Sequence, residues 1–332
     1  VHVFRRQTNR VADADGMVRD PVVSRRADGT LFMAFVRDTD PTEALAPEIY
    51  LREGNPDGSW ETASVLTDDG YPKGGPSLGF APNGDPLVSW TQMTDLSGSN
   101  MSEDLRAYEI LWARFDPDTG GITEPVALTG NAEPDGGSSL AVHGDGLITW
   151  SHYDSPEESW EVQYATWEEQ DGFIPSGTPL SAQGRSAWNA RTALGPGRYG
   201  MTVWVSGSRN SSGEVTESLP MFRVWDRQTR QFSSLQPVPL VSTAGRTNFV
   251  DVAFGPDGRA VVAWSQVPDG GGALLYSRTY DPVSDSWGQG REIMGAPVLG
   301  RPQLSVDSRG NVSMTASSWH RGGHAWHTLW SI

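Results

Sequence analysis

Arg19, Arg246 and Arg301 each open an extended, largely apolar stretch of the chain, in the settings Arg-Asp-Pro-Val-Val, Arg-Thr-Asn-Phe-Val and Arg-Pro-Gln-Leu-Ser. A guanidinium is a planar fork of donors, so several that converge can hold one carboxylate through paired, charge-assisted hydrogen bonds. Arg37, Trp188 and Arg191 stand at comparable strand ends and complete the candidate binding set. Acid–base chemistry beside such an anion needs groups that titrate. Asp38, Asp40 and Glu43 follow Arg37 directly, and one of them with a raised pKa would serve as a general acid. His152-Tyr153 and His320 follow later strands; His152 and Tyr153 could act as base and acid on a neutralised uronate, as a lyase requires. No H-E-x-x-H, paired Cys/His or EF-hand spacing occurs, so a catalytic transition metal is not expected, and no motif indicates a structural calcium ion.

These residues are positioned by a repeat. Gly29, Gly84, Gly146, Gly197, Gly258 and Gly310 recur at steps of 51 to 62 residues, and strands flank each turn. Phe35, Trp90, Trp150, Trp204 and Trp264 recur after the turns at matching places, as expected of wedges between packed sheets. An alternating third strand follows each pair, then a turn and a short outer strand. Four short strands per unit in six units predict a β-propeller: all-β, six-bladed, with four-stranded antiparallel blades in one domain spanning 1–332. The blades fall at about 18–66, 74–128, 136–181, 188–242, 246–295 and 301–332. The sixth runs out of chain after its third strand, so residues 1–13, with a strand at His2–Arg6, are expected to close it. First-strand starts and second-strand ends then share the channel mouth, where Tyr71, Lys73 and Asp135 would join the arginines.

The formal charge of −16 argues against a nucleic-acid partner, which needs a basic surface. Lys73 is the only lysine, against 24 arginines. There is no apolar run of membrane-spanning length and no cysteine, and Val-His-Val-Phe-Arg-Arg does not read as a signal peptide.

The stretch Val18–Trp60 resembles the opening of bacterial sialidases and their six-bladed relatives. Arg19-Asp20-Pro21 corresponds to the family's Arg-x-Pro motif and Arg37 to its second arginine, with Asp57-Gly58-Ser59-Trp60 as an Asp box lacking its leading Ser-x. The resemblance implies a carboxylate held by Arg19, Arg246 and Arg301, and an acid on the loop of Asp38, Asp40 and Glu43. It also implies a tyrosine nucleophile in the last blade, yet no tyrosine follows Tyr280. The expected function is cleavage of a glycosidic bond at an acidic sugar, sialic acid or a uronate, by a secreted, periplasmic or cell-surface protein. The alternative is a non-catalytic module that binds glycan or protein within a larger secreted or surface protein.

Overall fold

The computed structural model describes residues 17–38, 47–55, 58–95, 97, 106–116, 119–210, 215–242, 245–268, 271–294, 301–320 and 323–327. Among them, 26 strands form six sheets. The first holds β1 (Met17–Arg25), β2 (Leu31–Asp38), β3 (Glu48–Gly54) and β4 (Ser64–Val65). The second holds β5 (Lys73–Phe80), β6 (Pro86–Met93), β7 (Tyr108–Asp116), β8 (Gly121–Ile122) and β9 (Val126–Ala127). The third holds β10 (Asp135–Val142), β11 (Gly146–Asp154), β12 (Ser159–Glu168) and β13 (Gly172–Pro175). The fourth holds β14 (Ser186–Leu194), β15 (Tyr199–Arg209), β16 (Val215–Asp226), β17 (Gln231–Phe232) and β18 (Gln236–Pro237). The fifth holds β19 (Arg246–Phe254), β20 (Ala260–Val267), β21 (Leu274–Asp281), β22 (Ser286–Trp287) and β23 (Arg291–Met294). The sixth holds β24 (Gln303–Val306), β25 (Val312–His320) and β26 (Gly323–His327).

The turn between the first two strands is built the same way in several sheets. Arg26 N donates to Thr30 O at 2.8 Å, Gly29 N to Arg26 O at 2.9 Å, and Thr30 N to Asp28 Oδ1 at 2.9 Å. The Gly255–Arg259 turn repeats all three bonds, with Asp257 in the place of Asp28. Gly29 and Gly258 sit at φ of 98° and 79°, where a side chain would be strained. Gly84 and Gly310 also have positive φ, at 92° and 84°, which is why these four glycines locate their sheets in the sequence; Gly146 and Gly197 do not share that conformation.

Chain contacts divide the molecule into two compact units, Val1–Gly136 and Gly137–Ile332. In the first, Phe32, Val36, Ile49, Trp90 and Leu111 share a core between the first two sheets. In the second, Trp204 packs with Val162 and Ala187, while Val250, Val262 and Trp264 pack with Met201, Val203 and Phe222. Phe35, Trp90, Trp150, Trp204 and Trp264 are all at most 4% exposed; Trp90, Trp204 and Trp264 pack with residues of two sheets as expected of wedges, whereas Phe35 packs with Met33 and Tyr50 of its own sheet. No helix among the described residues is long and apolar enough to cross a membrane. The closing segment His2–Arg6 lies outside the described residues.

Candidate functional site

The first strands of four sheets carry a β-bulge shortly after their start. Register shifts fall between Arg19 and Val22, Gly74 and Ser77, Trp188 and Arg191, and Thr247 and Phe249. Asp20, Gly75 and Asn189 meet the bulge with φ of 53°, 56° and 57°. A bulge re-aims the residues before it without disturbing the pairing behind it.

In the second unit two bulged strands, β14 and β19, line a hollow of about 420 Å³ with Trp188, Asn189, Arg246, Asn248, Phe249, Val215 and Val267. Arg246 is exposed and its Nη1 donates to Val215 O at 2.6 Å. Arg301 reaches the same place from the start of the sixth sheet. Its Nη2 donates to Asn189 Oδ1 at 3.3 Å, and its Cζ lies 5.9 Å from the centre of the Phe249 ring. The Arg301 Nε is buried without a hydrogen-bond partner. Asn189 is held in turn, its Nδ2 donating to Asn248 O at 3.0 Å. The hollow thus offers one guanidinium group, an indole, a phenyl ring and two amides, with the Arg301 guanidinium in contact with Asn189 and Phe249 of its lining. That set suits an anionic ligand with a polar, ring-shaped body. Among the described residues its lining carries no carboxyl group, histidine or tyrosine.

Arg191 follows the β14 bulge and is turned inward. Burial lowers its pKa, while Asp251 on β19 opposes that shift, and its Nη1 donates to Ala190 O at 3.0 Å. Protein packed around Asp251 pushes its carboxyl up to about 6, against the Arg191 charge and a 2.6 Å bond from Leu304 N. Arg191 therefore braces neighbouring strands and does not line the hollow.

In the first unit Arg19 is half exposed and donates Nη2 to Lys73 O at 3.0 Å. Arg37 pairs with Val18, and Arg19 with Val36, so the two project from opposite faces of the sheet. Arg37 lies with its Cζ 5.5 Å from the centre of the Tyr50 ring. The two forks share one end of the β1–β2 hairpin, as expected, but do not converge because they leave it on opposite faces. Nor do Arg19 and Arg246 hold equivalent strand positions. Val22 and Asp251 face the residues just before the wedges, Ala34 and Ala263; Arg19 precedes Val22 by three residues, and Arg246 precedes Asp251 by five.

The titratable candidates are dispersed. Asp38 closes β2 and is buried, at 6% exposure. Asp40 and Glu43 lie outside the described residues, and so does Glu214. His152 and Tyr153 are successive residues of one strand and so face opposite ways. His152 pairs with Glu161, whose carboxyl is raised mainly by burial and then by Asp154, with His152 opposing; Tyr153 packs edge-on against Trp160 at 5.4 Å. They do not form a base–acid pair on a common ligand. His320 ends β25 within a strand, where a loop was expected, and its side chain is outside the described set.

Lys73 and Asp135 open β5 and β10, as expected, and are buried, at 2% and 1% exposure. Lys73 Nζ reaches Glu48 Oε2 at 2.9 Å and also bonds Asp69. Asp69 accepts from Gln92 Nε2 at 2.8 Å, and Gln92 accepts from Trp90 Nε1 at 2.8 Å. Sequence reasoning missed this network because a lone lysine carries no spacing signal. Among the described residues no group of three or more His, Cys, Asp or Glu side chains is poised around a metal position.

No family model matches the chain, and no curated protein matches it in sequence. Solved structures share its fold at low identity. The NanB sialidase from Streptococcus pneumoniae superposes with a TM-score of 0.61 at 9% identity, covering 96% of this chain and 68% of that one. An ulvan lyase, a polysaccharide lyase, gives 0.62 at 13% identity over 96% and 83% of the two chains. The α-L-arabinanase of Penicillium chrysogenum gives 0.64 at 12% identity over 96% and 95%. The fold is therefore that of the sialidase-like propellers, and at these identities the likeness extends to the fold alone.

Proposed function

We propose that this chain is a carbohydrate-active propeller that grips an acidic sugar at the Arg246–Arg301 hollow and acts on the adjoining glycosidic bond. The observation that carries this reading is that Arg246 lines a hollow together with Trp188 and Phe249, while Arg301, 55 positions on, contacts two residues of that lining, Asn189 and Phe249. An aromatic wall takes the apolar face of a pyranose, and the forks take its carboxylate. On this reading the six sheets are six blades, and the N-terminal segment closes the last. An acidic saccharide also suits a secreted, periplasmic or cell-surface setting. A binding-only role is the second reading. It is favoured by the absence of a tyrosine after Tyr280 and, among the described residues, of a proton-transfer group in the hollow's lining.

Calorimetric titration with a methyl sialoside, a uronate disaccharide and a neutral arabino-oligosaccharide tests the proposal, together with turnover of a fluorogenic sialoside and formation of unsaturated uronate. Acidic sugars should bind and the neutral one should not. Equal binding of the neutral sugar, or no binding of any, overturns it. Binding of acidic sugars without turnover selects the binding-only reading.

A further inference from the structure

Residues of the fifth and sixth sheets line a second hollow, of about 520 Å³, beside the turns that join their first two strands. The strand registers show what opens it. Ala34, Ser89, Thr149, Val203 and Ala263, each one place before a second-strand aromatic, pair with Leu51, Trp112, Tyr164, Phe222 and Ser277. Leu51, Tyr164 and Phe222 pack against core residues of the following sheet. In the fifth sheet a serine stands where the others carry a large side chain. Packing against the sixth sheet falls to Ala263, Ala273 and Leu275 with Met314.

Two of the arginines that border this hollow are exchanges of the same kind. Ser277 pairs on its outer side with Arg291, whereas Leu51, Trp112 and Phe222 pair with Ser64, Val126 and Gln236. In the first turns of the first, second and fifth sheets the third residue is Asp28, Asn83 or Asp257, and its side chain accepts from the main chain two residues on. In the sixth sheet Asp307 takes that role from the start of the turn, Asn311 N donating to its Oδ1 at 2.8 Å, and the third residue is Arg309. Arg259 enters from the fifth-sheet turn, its Nε 3.6 Å from Asp281 Oδ2 and 3.9 Å from Asp257 Oδ2. Arg278 also borders the hollow but is committed, donating to Gly288 O at 2.9 Å and Leu240 O at 3.3 Å. Among the described residues the lining holds one carboxyl group, that of Asp257.

We propose that this hollow is a second ligand site, for a tetrahedral oxyanion ester, phosphate or sulfate, on a body of monosaccharide size. Arg259, Arg291 and Arg309 come from three separate elements and outnumber the one carboxyl group. The terminal oxygens of such an ester can accept from several forks at once. Val261, Val306 and Val312 give the lining an apolar surface, and Ser277 and Thr279 give it hydroxyls, a mixture that suits a polyhydroxylated ring. The volume falls among pockets for organic ligands, roughly 300–1,000 Å³, and exceeds what a bare ion fills. Arg246 opens the nine-residue strand β19 and Gly255 follows its far end, so this site is separate from the Arg246 hollow and stands whether or not that one takes an acidic sugar.

Calorimetric titration of the whole chain with glucose 6-phosphate, glucose 6-sulfate, inorganic phosphate and glucose tests this. At least one ester should bind, and the tighter of the two names the source. Inorganic phosphate should bind about tenfold more weakly or worse, and glucose not measurably. Arg291→Ala and Arg309→Ala should each weaken ester binding about tenfold or more, the loss of a charge-assisted contact. Ser277→Phe restores the fourth sheet's side chain and should abolish ester binding without lowering the melting temperature. Should that variant fail to fold, the two arginine variants, at exposed positions, decide. Arg246→Ala should bind the ester as the wild type does, so the two hollows succeed or fail independently. The proposal is overturned if neither ester binds, or if glucose or inorganic phosphate binds as tightly as the esters. It is overturned equally if Arg291→Ala and Arg309→Ala bind like the wild type, or if Arg246→Ala loses the ester.

Discussion

Arg246 and Arg301 differ in how they are held, and that difference predicts how each fails. Arg246 is tethered by one bond to a main-chain carbonyl at an exposed position, so its truncation removes a ligand contact and little else. Arg246→Ala and Arg301→Ala should each weaken an acidic-sugar ligand by about 1.5–3 kcal/mol, the worth of a charge-assisted hydrogen bond. Lysine should recover only part of this, because a point charge cannot reproduce the fork. Arg301 depends further on Asn189, which sits at φ 57° and accepts its Nη2 hydrogen bond. Asn189→Gly keeps that backbone conformation at little cost, so it should lower affinity with little change in melting temperature. Asn189→Ala should lower both. Titration and melting of the four variants check this, and a large stability loss with unchanged affinity in the arginine variants would show them to be braces. The types of these residues were legible in the sequence, but their convergence was only partly so. Arg191 occupies a promising strand position and turns into the protein, because the bulge before it decides which way it faces. Arg19 reads as the counterpart of Arg246 until the strand registers show an offset of two residues.

At the scale of strands and turns, the sequence is explicit wherever backbone geometry demands one residue type. Gly29 and Gly258 mark their turns because φ is positive there, and a buried aromatic marks five of the six second strands, as Trp90, Trp204 and Trp264 do where two sheets pack. Polar links between neighbouring strands leave no such mark, since Asp, Arg, Ser and Thr serve equally well on a surface. Arg191 on β14 and Asp251 on β19 are such a link, and it titrates. The Asp251 carboxyl is pushed up to about 6 by burial, from an ordinary value near 3.8. A raised acid binds more protons folded than unfolded between those values, so its contribution is greatest at low pH and falls as pH rises from about 4 to 6. Asp251→Asn removes that titration while keeping an acceptor for Leu304 N. Its stability relative to wild type should therefore rise between about pH 4 and 6 and stay level above. Denaturant melts at unit pH steps would show this. A difference that is flat across the whole range would mean that Asp251 is not titrating as a buried acid.

For the whole molecule, period and count carried most of the reading. Six turn glycines correspond to six sheets, and the first three strands of each unit follow the expected order. Short outer strands were less legible: β18 and β23 join their sheets off the main strand path, after turns whose composition says only that the chain bends. Catalysis was the least legible level, because the acids Asp40 and Glu43 sit on a connection with no repeat to align them, and titratable groups elsewhere are dispersed. Closure makes a global prediction. If the N-terminal segment is the outer strand of the last blade, deleting residues 1–12 should lower the melting temperature of the entire protein in one cooperative step. A truncated chain that melts with the full-length one would exclude that role.

The bulges of the inner strands have a consequence for how such a molecule changes over time. Behind each bulge the alternation is tied to the core, where a one-residue slip would expose every wedge. Ahead of it, the same strand presents Arg19, Gly74, Trp188 or Thr247, residues with nothing in common but their address. The bulge acts as a mechanical clutch: substitutions on the ligand side need not be transmitted to the packing side. Recognition can then drift from one saccharide to another by independent exchanges at separate strands, each tolerated by an unaltered interior. A saturation scan for folded expression should show this as greater tolerance at the exposed positions ahead of the bulges, Arg19 and Arg246, than at the buried positions behind them.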